Sequence, residues 1–157
     1  MKIDKKLLAK SIALPLIVGI VASLFTQNAM REFETLNQPP LSPPDWLFPI
    51  VWTILYILMG ISAYLIKVSD ASEMEKSDAL TLYYYQLIVN FLWPVFFFNF
   101  SWYLFSFVWL VLLWILVALM IWRFDKISKT AAYLNIPYLL WLTFAAYLNF
   151  AVWWLNR

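Results

Sequence analysis

Between Asp78 and Arg123 the chain runs 44 residues, 79 through 122, without a charged side chain. Three further uncharged runs cover 11–30, 46–66 and 130–156. About 20 consecutive apolar residues cross the ~30 Å hydrocarbon core of a bilayer. The longest run therefore holds two crossings and the others one each. In lipid a backbone must satisfy its own hydrogen bonds, so the crossings are helices. The expected fold is an all-α integral membrane protein, with five transmembrane helices in a single bundle.

At 157 residues this accounts for nearly the whole chain, and little is left for a soluble domain. The composition agrees: 64% hydrophobic and 13% charged, against roughly 45–50% apolar and ~25% charged in soluble domains. Histidine and cysteine are both absent. That removes the commonest general base and the nitrogen and thiolate metal ligands, so no metal site is expected. It also leaves compartment unreadable from disulfides. No basic patch interleaved with aromatics lies outside the apolar runs, so no nucleic-acid partner is expected.

The expected helices are 8–28, 46–66, 80–98, 102–122 and 130–155, in one domain spanning 1–157. The start, MKIDKKLLAK before an apolar run, imitates a signal peptide. SLFTQNAM is too bulky for a cleavage site, so a retained helix is the better reading. A proline-rich loop, 29–45, follows with Pro39, Pro40, Pro43 and Pro44, residues that stop helices and extend the chain before them. KVSDASEMEKSD reads as a hydrophilic linker, Asn99–Trp102 as a turn and RFDKISK as a charged turn. No internal repeat is visible, which argues against an inverted-repeat transporter.

Five crossings place the termini on opposite sides. Lys2, Lys5, Lys6, Lys10, Lys67, Lys76, Arg123, Lys126 and Lys129 then share one side, and Arg31 and Arg157 the other. Basic residues in short loops stay cytoplasmic. This nine-to-two bias predicts a cytoplasmic N-terminus, in a bacterial cell membrane, with the proline loop on the far side. No charged residue lies deep in a span, so a proton-coupled pump has no relay to use.

The ten tryptophans are more than membrane interfaces need. Trp46, Trp102, Trp122, Trp153 and Trp154 fit an aromatic belt. Trp52, Trp93, Trp109, Trp114 and Trp141 lie deeper, where an indole donor wants a partner. Helical spacing gathers three stripes: Phe48, Trp52 and Tyr56; Gln86, Asn90, Trp93 and Phe97; Pro137, Trp141, Ala145 and Asn149. From periodicity alone, interhelical packing with amide glue is the favoured meaning. Together, large flat rings with few polar groups also describe a pocket for a planar hydrophobic ligand, and small Ala145 would leave room beside Trp141.

WLFPIVWTILYILMG after a PP dipeptide, then NFLW, then IPYLLWLTFAAYLN, resemble the signatures of the translocator protein family, or tryptophan-rich sensory proteins (TspO/MBR). The resemblance covers nearly the whole chain in order. It implies five helices around a pocket for porphyrins, haem and related ligands, with homodimers usual and light-dependent porphyrin breakdown credited to some bacterial members. No cofactor is required; the tetrapyrrole is the ligand. Residue by residue it implies ligand contacts at Trp52, Asn90, Trp93, Trp141, Ala145, Leu148 and Asn149, to which Phe97, the fourth member of the Gln86 stripe, adds another, and a loop lid at Pro43 and Pro44. Any catalytic role would fall to Trp52 and Trp141. The loop departs from the family's WYxxLxKPxWxPP: Glu32, Phe33, Gln38 and Leu41 stand for Trp, Tyr, Lys and Trp. A sterol-type motif near the C-terminus is missing, since Tyr147 lies ten residues from Arg157.

The sequence leads to the expectation of a tetrapyrrole-binding sensor, scavenger or carrier. Its rivals are a light-dependent porphyrin-degrading enzyme and a membrane scaffold whose stripes are packing alone.

Overall fold

The computed structural model describes residues 2–157. Helix α1 spans Lys5–Phe33, α2 Leu47–Lys67, α3 Glu73–Pro94, α4 Tyr103–Asp125, α5 Lys129–Tyr133 and α6 Ile136–Leu155. A π-helical turn, Val95–Asn99, extends α3. Taking α3 with its π turn, and α5 with α6, five helical segments among the described residues are long and apolar enough to cross a membrane.

Local chemistry sets the ends. The Asp4 carboxylate accepts the Leu7 N–H at 3.0 Å and starts α1, while the Asp4 N–H donates to the Tyr64 hydroxyl at 3.0 Å. Helix α1 thus begins three residues before its expected start at residue 8 and ends five after its expected end at residue 28. Helix α3 also begins earlier than its hydropathy suggests. Ser72 and Glu75 form a reciprocal capping box, which satisfies otherwise orphaned donors of the first turn. The polar stretch read as linker therefore supplies two turns of helix.

At its other end Pro94 withholds a donor, and the ladder shifts to Phe100 N–H on Val95 C=O at 3.2 Å. The wider turn sends consecutive rings in different directions. Phe97 turns inward and stacks on Trp93 at 5.2 Å. Phe96 packs edge-on against Trp109 at 5.1 Å. The chain reverses through Ser101, which adopts φ 55°.

The fifth crossing is broken rather than continuous. Pro137 lies in the first turn of α6, where its missing N–H costs nothing because first-turn donors have no partner within the helix. The Asn135 amide fills the break, donating to Ser62 Oγ at 2.7 Å and Ala131 C=O at 3.0 Å.

Neighbouring segments close a ring: α1 beside α2, α2 beside α5, α6 and α5 beside α4, α4 beside α3, and α3 with its π turn beside α1. Both glycines serve the α1–α2 seam. A Cβ on Gly60 would strike the α1 backbone at Ile12 and Ser11, and one on Gly19 would strike the Tyr56 ring. The core inside the ring contains Met59, Tyr83, Leu110, Val117, Phe124, Tyr138 and Leu142.

Candidate functional site: an aromatic gap between α2 and α6

Helices α2 and α5 are tied together where Ser62 Oγ donates to Ala131 C=O at 2.7 Å. Beyond the Asn135 break the backbones of α2 and α6 scarcely approach each other. Rings span the space instead. Phe48 meets Trp141 edge-on at 5.8 Å. Trp52 stacks on Tyr56 at 5.5 Å and meets the edge of Tyr138 at 6.2 Å.

Below these rings runs a buried hydrogen-bond chain. The Tyr56 hydroxyl donates to Asn90 Oδ1 at 2.8 Å. Asn90 Nδ2 donates to the Tyr138 hydroxyl at 2.7 Å. That hydroxyl donates to Gln86 Oε1 at 2.7 Å, and Gln86 Nε2 points to the Met59 sulfur at 3.8 Å. Tyr138 is fully buried and links α6 to α3, while Tyr56 links α2 to the same amide. Each member meets the polar needs of the next in a medium where an unmet donor costs several kcal/mol, of order. This network is a rigid floor.

The expected site residues divide into two groups. Asn90 belongs to the floor. Trp93 Nε1 donates to Asn149 Oδ1 at 3.0 Å, and Asn149 Nδ2 donates to Tyr103 C=O at 2.7 Å. These two lock α3, α6 and the start of α4 together. Phe97 is buried against Trp93 and Phe33, with the Phe33 ring at 5.3 Å. All four residues hold the bundle. Trp52 and Trp141 are only half-buried, and Ala145 lies buried one turn beyond Trp141. Leu148 is half-buried one turn further along α6.

The indole donors sort the same way. Trp109 donates to Val89 C=O at 2.8 Å and Trp114 to Thr143 Oγ1 at 2.9 Å. With Trp93, three deep tryptophans are thereby satisfied within the protein. Among the described residues, Trp52 and Trp141 alone of the five donate to no protein acceptor. They are also the two that flank the gap.

Over the gap, the proline loop is anchored to α6. The Tyr147 hydroxyl donates to Pro40 C=O at 2.8 Å. Asn156 and Asn37 exchange two bonds, each at 3.0 Å. The loop then turns into α2, with the Leu47 N–H on Pro44 C=O at 3.0 Å. It thus bridges the two helices that flank the gap. Pro39 is its buried residue, Pro43 is half-buried and Pro44 is exposed, so the expected lid prolines shape the entry to α2 while Asn37 and Pro40 carry the anchors.

Sequence reasoning passed over Tyr138, the hub. A usable signal existed: Gln86 and Asn90 at i, i+4 need buried partners, and Tyr138 lies one turn before Trp141 on the same helix. The buried face of α6 is Tyr138, Leu142, Ala145, Asn149 and Val152, which places Trp141 at its edge, facing the gap, rather than at its centre.

A family model, TspO/MBR family, matches residues 11–155. The chain belongs to the TspO/MBR family. It is 41% identical over 150 residues to the tryptophan-rich protein TspO of Chlorobaculum tepidum, covering 95% of each chain. It is 36% identical to protein CrtK of Rhodobacter capsulatus, over 88% of this chain and 85% of that one. Human translocator protein is 35% identical over 85% of this chain and 80% of its own. With five apolar helices of spanning length, this TspO/MBR chain is an integral membrane protein.

Proposed function

We propose that the protein binds a tetrapyrrole, porphyrin or haem, in the gap between α2 and α6 and acts as a membrane sensor, scavenger or carrier of it. The observation that carries this reading is the pair of half-buried indoles, Trp52 and Trp141, the two deep tryptophans that donate to no protein acceptor among the described residues. A planar macrocycle would part the edge contact of Phe48 and Trp141, lie between the indoles and rest on the Tyr56–Asn90–Tyr138 floor. Its carboxylates would face the loop, where Asn37 and Gln38 are exposed. The names sensory protein and translocator protein, borne by relatives, accord with a binding role rather than turnover.

Titration of the purified protein with protoporphyrin, read by tryptophan quenching, tests the proposal. Stacking on one aromatic side chain is worth about 1–3 kcal/mol, and ~1.4 kcal/mol is tenfold in affinity. Trp52→Ala and Trp141→Ala are each expected to weaken binding about tenfold or more, and Trp154→Phe, at the exposed rim, to leave it unchanged. Wild-type affinity in both alanine variants would remove the gap as the site.

In the proposed orientation, which the basic asymmetry of the sequence supports, the loop and the gap's mouth face the non-cytoplasmic side. The chain has no cysteine, so single cysteines report cleanly. In intact cells an impermeant thiol reagent is expected to label Glu34→Cys and spare Asp70→Cys; the reverse pattern would invert the orientation.

A further inference from the structure

On the opposite side of the ring from the α2–α6 gap, a second hollow of about 340 Å³ opens at the loop end. Its walls come from the end of α1, the π turn, and the link into α4: Glu32, Phe33, Leu36, Phe98, Ser101 and Tyr103. Phe33 and Phe98 meet edge to face at 5.3 Å and 86°, leaving a concave aromatic corner. The Glu32 backbone carbonyl is occupied, accepting Thr35 Oγ1 at 2.7 Å. Its carboxylate has no hydrogen-bond or ion-pair partner among the described residues. Arg31, its neighbour in sequence, is not part of the lining. Ser101 enters the hollow from a left-handed backbone, φ 55°, a conformation uncommon for a residue with a side chain.

We infer that this hollow binds an organic ammonium group, with the Phe33, Phe98 and Tyr103 rings around the cation and the Glu32 carboxylate as its counter-charge. Aromatic rings attract a cation through their quadrupoles, and quaternary ammonium groups are held by aromatic corners of this kind. A soft, weakly hydrated cation can enter a part-apolar cavity that a strongly hydrated metal ion resists. The carboxylate adds the charge that aromatics alone lack. Glu32 stands where the family's loop pattern has tryptophan, so the acidic wall is a property of this chain. The hollow lies where the helices end, which in a spanning bundle is the level of the lipid headgroups. Its occupant could therefore arrive as a lipid headgroup or as a free solute of the same chemistry.

The test uses full-length protein in dodecyl maltoside, which carries no ammonium group, and isothermal calorimetry with choline. Saturable binding is expected. The neutral isostere of choline, with carbon in place of nitrogen, is expected to bind about tenfold more weakly or worse. Glu32→Gln, at an exposed position, is expected to weaken choline about tenfold while keeping the wild-type melting temperature. Phe98→Leu, which keeps the charge and removes a ring, is expected to weaken it severalfold. Equal binding of choline and its isostere, wild-type affinity in Glu32→Gln, or no saturable binding would each overturn the site. The same titration in nanodiscs separates the sources. Lower apparent affinity in phosphatidylcholine than in uncharged digalactosyl lipid means that the headgroup competes; equal affinity means a free solute. Protoporphyrin binding is expected to be unaffected by Glu32→Gln, so the two sites stand or fall separately.

Discussion

Ala145→Phe is expected to abolish porphyrin binding while the bundle stays folded. Ala145 is 8% exposed, on the inward face of α6, one turn from Trp141 and two from Tyr138. A phenyl ring there would project toward the rings that span α2 and α6. The same volume that a macrocycle needs would then belong to the protein. Overpacking a core costs about 1–3 kcal/mol, which a bundle with ring closure on all sides should survive. The loss of affinity should be on the order of a hundredfold, because exclusion removes both indole contacts at once. Porphyrin quenching and thermal melting, measured on one preparation, check the two halves. Ala145→Leu gives a graded intermediate should the larger ring unfold the protein. A folded Ala145→Phe with wild-type affinity would show that the ligand lies elsewhere.

Gly60→Ala is expected to cause a comparably large effect on stability. The added methyl would meet not a movable side chain but the α1 backbone, with the Ser11 carbonyl oxygen at 2.7 Å. Relief requires α1 to move away from α2 along its length. A penalty of about 2–3 kcal/mol corresponds to a melting temperature lower by roughly 5–10 °C for a chain of this size. Gly19→Ala makes an informative comparison. Its methyl would meet the Tyr56 ring, with Cδ2 at 2.8 Å. That ring can yield, but only by straining its bond to Asn90 and its stack under Trp52. Gly19→Ala should therefore cost less stability than Gly60→Ala and disturb porphyrin binding more. A wild-type melting curve for Gly60→Ala would mean that the α1–α2 seam is looser than its geometry shows.

These two glycines also show how much was legible beforehand. Only two occur in the chain. The structure assigns both to contacts within one chain, which the spacing of residues 19 and 60 could not reveal. The start of α3 was legible in principle, because Ser72 and Glu75 have the spacing of a capping box, but their polarity was read as linker. The break before Pro137 was likewise signalled by the proline. That α2 and α6 scarcely approach each other beyond it was not.

Crossing number and approximate placement follow from sequence because hydropathy and charge are properties of a run. A bilayer admits only segments of one length and polarity, whatever their neighbours do. The aromatic and amide stripes were visible for the same reason, since helical periodicity is local. Which stripe residues bind one another and which stay available is decided between helices. Asn90, Trp93 and Asn149 stand out in one dimension as site candidates, and each is tied to a partner 34 to 56 positions away. Trp52 and Trp141 differ from Trp109 and Trp114 only in what lies opposite their indoles. That depends on where the Asn135 break sends α6, and so on packing forces that no single helix contains.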